Sequence, residues 1–199
     1  MIAVPQLESK PDDEFDNVVI FSGASWWQFE TLLAVRGDAP VPRMAYLDGQ
    51  VELMSPSRVH EATKGALGRL IEAYADIRDV EVESRGSETL RLATEECGAE
   101  PDECYNVGED TEFPRLVIEV VRSSRGLDKF RIFAAFGIEE FWRWVNGELT
   151  LCRLEDERRY VAVEESQVLP GLTQALLAEA LSTGTQTQAV RHLRAVLDR

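Results

Sequence analysis

Leu116-Val117-Ile118-Glu119-Val120-Val121 is the stretch on which the fold turns. Its β-branched, nearly continuous apolar character is that of a central strand covered on both faces. Glu119 is the only charged residue in it. An ionised carboxylate in a covered layer is costly unless a cation or strong donors meet it. Three readings follow: a functional carboxylate, half of a buried ion pair, or the outward side chain of an edge strand.

Downstream, Leu127 to Phe136 has the spacing of a short helix, with Gly137 as its C-terminal stop. On that helix Lys129 neighbours Ile132, Phe133 and Phe136, whereas Arg131 falls on the opposite face. A lysine within an apolar stripe either snorkels to the edge or pairs with an anion. Glu119 lies ten residues earlier, on the strand that feeds this helix.

Upstream, Pro101-Asp102 opens a short strand, 101–107, after a Glu- and Gly-rich loop near 94–100. Alone it is a common turn dipeptide. With a second carboxylate on the next strand and a lysine just beyond, it acquires a chemical meaning. Two converging carboxylates can hold a hard divalent cation such as Mg²⁺. Such a cation polarises a phosphoryl oxygen and helps form hydroxide. A nearby lysine orients water or stabilises charge in the transition state.

Further out, Ser22 to Ser25 can start a helix over roughly 26–36 that Gly37 ends, and Asp48-Gly49 joins a hairpin of 45–47 and 51–54. Ser55-Pro56-Ser57 caps a long helix to about 78, with apolar positions at helical spacing. Strands are expected at 80–85 and 90–92. A hairpin across Asn146-Gly147 joins 139–145 to 148–154, and 160–163 adds an edge strand. Helices at 172–181 and 188–198 flank a polar break at 183–187. The fold class is therefore α/β, a mixed central sheet flanked by helices. The expected division is a loose N-terminal arm over 1–17, a domain over 18–182 and a C-terminal helical extension over 183–199.

Composition narrows the function. A net charge of −15 argues against general affinity for nucleic acid, so any contact must use a local basic strip. No apolar run approaches a membrane span, and no secretory signal opens the chain. Three widely spaced cysteines and two histidines give neither a disulfide framework nor a zinc cluster, which suits a reducing, cytoplasmic setting.

At these residues the sequence resembles the PD-(D/E)xK nuclease superfamily and, more narrowly, the Uma-type putative restriction endonuclease family. The matching stretches are Tyr46 to Gly49, Glu52 to Ser57, His60 and Pro101-Asp102. They continue with Leu116 to Val121, Asp128-Lys129, Phe136 to Trp142, and Pro170-Gly171-Leu172. The resemblance spans roughly 25–182. It implies a restriction-endonuclease-like core with Asp102 and Glu119 as metal ligands. The superfamily's usual lysine position, two after the glutamate, is Val121 here; the resemblance moves the lysine to the following helix, at Lys129. Two departures stand out. Arg122-Ser123-Ser124-Arg125 replaces a Ser-Pro-Ser-Thr-like turn, and Val145-Asn146-Gly147 replaces an Asp-Pro.

The expected catalytic set is thus Asp102, Glu119 and Lys129, with Mg²⁺ as cofactor and Mn²⁺ as a substitute. His60 and Glu61 are supporting candidates at the head of the long helix, the alternative being a solvated first turn. Arg122 and Arg125 are candidates for substrate phosphate, against plain surface charge. Trp142 and Trp144 read as core rather than as a stacking platform. The expected activity is phosphodiester hydrolysis in nucleic acid, DNA ahead of RNA. The rivals are an inactive nuclease-fold binding module and a structural domain in which Glu119 and Lys129 form a buried salt bridge. The apolar C-terminal helices leave room for a homodimer.

Overall fold

The computed structural model describes residues 15–122 and 125–198. The expected N-terminal arm therefore lies outside the described residues as far as position 14, as do Ser123 and Ser124 of the turn after the glutamate strand. The chain runs β1 (Asn17–Ser22), α1 (Trp26–Arg36), β2 (Arg43–Leu47), β3 (Gln50–Ser55), α2 (Arg58–Arg78), β4 (Val82–Gly86), β5 (Leu90–Leu92), β6 (Cys97–Ala99) and β7 (Glu103–Val107). It continues with β8 (Leu116–Val121), α3 (Lys129–Ala135), β9 (Glu140–Val145), β10 (Glu148–Glu155), β11 (Arg159–Val163), α4 (Gln174–Ser182) and α5 (Gln186–Leu197).

The strands form two sheets. The larger has the order β11-β10-β9-β8-β7-β4. It is mixed, as expected: β8 and β9 run parallel, with Leu116 opposite Glu140 and Glu119 opposite Arg143, while its other pairings are antiparallel. The smaller sheet, β1-β3-β2-β6-β5, is antiparallel throughout. Two of its strands, β1 and β6, lie where no strand was expected. β1 is an exposed edge strand, so its apolar run Val18 to Phe21 carries no burial pattern. β6 has only three residues.

Side-chain alternation along β8 organises the core. Leu116, Ile118 and Val120 pack with Leu67, Leu70 and Ile71 of α2, in a layer shared with α4 and α5. Val117 faces the other way, into a cluster with Ile132 and Phe133 of α3 and with Ala45 and Ala99 of the smaller sheet. The smaller sheet's outer face packs Met44, Tyr46 and Val51 on Phe29 and Leu33 of α1. α5 docks on α2 through Ala189 and Leu193, which are buried in the main core. Trp142 is fully buried there, and Trp144 packs half-buried against the same cluster.

Candidate active site

Period two places the functional side chains. Glu119 must share the face of Val117, so it points between the sheets rather than into the α2 layer. On the smaller sheet Ala45 pairs with Glu52, and Arg43 lies two residues before Ala45 on the same face. Arg43 and Glu52 therefore look across at β8. α3 begins at Lys129, with Asp128 as its N-cap accepting the Arg131 amide. The result is a cleft of about 350 Å³ whose walls include Glu52, Glu119, Arg122, Arg125, Lys129 and Arg143.

A buried network of charges lies beside the cleft. Asp102, fully buried just before β7, takes the amide of Val120 on Oδ2 at 2.6 Å. The same oxygen lies 3.0 Å from His60 Nε2, while Oδ1 accepts Arg43 Nη1. The other ring nitrogen, His60 Nδ1, lies 2.9 Å from Asp16 Oδ2. Asp16 also accepts the Ser57 amide at the N-cap of α2. Arg43 Nη2 reaches Glu61, which also holds Lys64.

A carboxylate on each ring nitrogen favours the charged imidazolium form of His60. Burial disfavours that charge, but the bonds to Asp102 and Asp16 outweigh it and raise the pKa to about 9. Burial likewise opposes ionisation of Asp16, yet His60 and the Ser57 amide leave its pKa lowered.

On the cleft side, Glu52 Oε1 lies 3.1 Å from Lys129 Nζ, and Oε2 accepts the Leu127 amide at 2.6 Å. Glu119 differs from its neighbours. It is 5% exposed, and its Oε1 is buried and accepts no hydrogen bond among the described residues. Burial pushes its pKa upward to about 8; Lys129 opposes the shift, and the charges of Asp102 and Glu52 add to it. The mirror effect acts on Lys129: burial disfavours its charge, but Glu119 and Glu52 hold its pKa above the ordinary lysine value.

The donor set is all oxygen, which suits a hard divalent cation. Glu119 fits it directly, through an open oxygen in a field of other carboxylates. Asp102 fits less well, because both of its oxygens already accept donors. Among the described residues no three His, Cys, Asp or Glu side chains form a ready metal-holding cluster. Mg²⁺ does not demand one, since it commonly uses one or two carboxylates and completes its shell with water and phosphate.

The structure thus brings Asp102, Glu119, Lys129 and His60 to one end of β8. His60 is fully buried, not on a solvated turn. Glu61 is half-exposed and tied to Arg43 and Lys64. Arg122 lines the cleft with its guanidinium 5.8 Å from the Phe15 ring, and Arg125 lines it from the exposed loop before α3. Glu52, Arg43 and Asp16 were not singled out from sequence. Glu52 is the one charge in Val51-Glu52-Leu53-Met54, but on a hairpin strand such a charge reads as facing water.

Among curated proteins nothing matches the chain. One solved structure with similarity is that of a putative nuclease belonging to DUF820 from Anabaena variabilis ATCC 29413. It is 10% identical, covers 76% of this chain and 92% of its own, and superposes with a TM-score of 0.47. Residues 26–191 match the family Uma2, described as putative restriction endonuclease, and over that span the chain belongs to this family.

Proposed function

We propose that the chain is a divalent-metal-dependent endonuclease that hydrolyses phosphodiester bonds, with DNA preferred over RNA. The observation that carries the reading is the buried, unpartnered Oε1 of Glu119, set beside Lys129 in a cleft between two sheets. The family's description as restriction endonucleases supports the reaction class and the choice of DNA.

In this reading Glu119 is a ligand of Mg²⁺ or Mn²⁺, and Asp102 joins it where Arg43 yields. When bound, the cation supplies Lewis-acid activation of a phosphoryl oxygen and of water. Lys129, whose charge Glu119 and Glu52 favour, offsets negative charge on the transferring phosphoryl group. Asp102 orients Arg43 and His60, and its bond to the Val120 amide fixes β8 next to Glu119. Arg122 and Arg125 meet the substrate's phosphates at the rim.

Three free, buried cysteines suit a reducing compartment, and we place the protein in the cytoplasm. Among the described residues no helix is long and apolar enough to cross a membrane. A homodimer belongs to the same reading, and light scattering tests it.

One observation favours a second reading, an inactive nuclease fold that serves as a binding module: both Asp102 oxygens are taken by protein donors. Nicking of supercoiled plasmid in Mg²⁺ or Mn²⁺ separates the two. The enzyme reading expects nicking by the parent and none by Glu119→Gln. A parent inert in both metals overturns it.

A further inference from the structure

Glu52 stands on β3, in the sheet facing the one that carries Glu119. Both are nearly buried, at 5% exposure each, and both line the same cleft. Glu119 has an oxygen with no donor. Among the described residues, Glu52 Oε1 faces Lys129 Nζ and Oε2 accepts the Leu127 amide. Asp102 is outside the cleft wall, and its Oδ2 already accepts two donors. The loop before α3 closes tightly on Glu52: a Cβ at Gly126 would lie 3.2 Å from Oε2, beside the Leu127 amide. That backbone fixes the carboxylate at the cleft before any ligand arrives.

We propose that Glu52 is a further carboxylate ligand of the divalent cation, which binds between the two sheets on Glu52 and Glu119 and displaces Lys129 from Glu52. This rests on the metal-dependent reading above and adds a ligand to it. The displacement follows from electrostatics. Lys129 neutralises Glu52 in the metal-free protein, and a divalent cation on the same carboxylate repels the ammonium. Lys129 is then released toward the substrate phosphate only when metal is present. One or two carboxylates completed by water and phosphate are enough for Mg²⁺.

The test is Mn²⁺ binding by calorimetry on the full chain without nucleic acid, for the parent, Glu119→Gln, Glu52→Gln and Lys129→Met. The expected result is one Mn²⁺ per chain for the parent and affinity reduced about tenfold or more in both glutamine variants. Lys129→Met should bind Mn²⁺ more tightly than the parent, because the competing ammonium is gone. Lys129 also faces Glu119, so this gain tests the displacement of the lysine, and the loss in Glu52→Gln is what assigns Glu52 as a ligand. Circular dichroism on each variant guards against misfolding, and Glu52→Asp, which keeps the charge, should recover part of the affinity. If the parent binds no Mn²⁺, the metal-dependent reading falls and this inference with it. If the parent and Glu52→Gln bind equally while Glu119→Gln does not bind, or if Lys129→Met gains nothing, this inference alone is overturned.

Discussion

Lys129 Nζ lies 3.1 Å from Glu52 Oε1, so the lysine at the head of α3 is ion-paired to the sheet opposite the one carrying Glu119. This changes what substitution of Glu119 should do. If Lys129 depended on Glu119 alone, removing that charge would strand a buried ammonium, at about 3–5 kcal/mol. With Glu52 as its partner, Lys129 keeps an anion.

Glu119→Gln should therefore leave metal-free stability unchanged or raise it by up to about 2 kcal/mol, since a penalised buried charge is removed. The sign with pH is definite. The folded pKa lies above the unfolded value, so between them the folded state holds the extra proton. Stability falls as pH rises from the ordinary carboxylate range through about 8 and is level beyond. The variant should lack that fall. Urea unfolding in EDTA at pH 5 and pH 9 measures it; a loss of several kcal/mol in the variant would mean that Lys129 relies on Glu119.

His60 adds a second, partly overlapping dependence. Its folded pKa of about 9 exceeds the model-compound value of 6.5, so the imidazolium's contribution is complete below pH 6.5 and is lost as pH rises through 9. The shift corresponds to about 3 kcal/mol. Asp16→Asn, which removes one of the two carboxylates on the ring, should make the decline above pH 6.5 shallower and leave Glu119's part of it, which runs through about 8, in place. An unchanged pH profile would show that Asp16 does not hold the proton on His60.

Asp102→Asn should cost more than Glu119→Gln in the metal-free protein. Asp102 is the shared anion of Arg43 and His60, both buried, and its loss leaves two cations short of charge. About 3–5 kcal/mol is expected, read from urea midpoints at pH 7. Inactivity of this variant would not separate catalysis from folding. A variant as stable as the parent would show that Arg43 and His60 are satisfied by Glu61 and Asp16 alone.

How far these roles could be read from sequence depended on whether the cause was local. Glu119 was legible because a charge interrupts an apolar β-branched run, and Lys129 because it breaks an apolar helical stripe. Glu52 was not. In a hairpin strand one face is expected to be wet, and a charge there reads as outward. Only the docking of the smaller sheet over β8 and α3 buries it, and that contact joins residues about 75 positions apart. Arg43 was hidden for the same reason. β1 was missed because an exposed edge strand has no inward face to pattern its sequence. The α2, β7, β8 and α3 order was recoverable throughout, since caps, turns and apolar period mark each element.

The cleft's arginines give the last expectation. The chain carries −15 overall, so nucleic acid gains nothing from bulk attraction, and binding must come from local phosphate contacts plus metal. Arg122 and Arg125 line the same cleft as Glu119, on the segment between β8 and α3. If they contact phosphate, Arg125→Ala should weaken binding to unrelated duplexes by similar factors, because phosphate contacts carry no base information. It should also lower the slope of log K against log salt by about 0.9, one counterion fewer released. Arg122→Ala should do the same, and the double variant about twice as much. Fluorescence anisotropy on two unrelated duplexes, with the parent and the arginine variants in Ca²⁺ and in EDTA, measures both quantities. Tight binding by the parent in EDTA would overturn the need for metal, and a slope unchanged in the double variant would remove the two arginines from the substrate path.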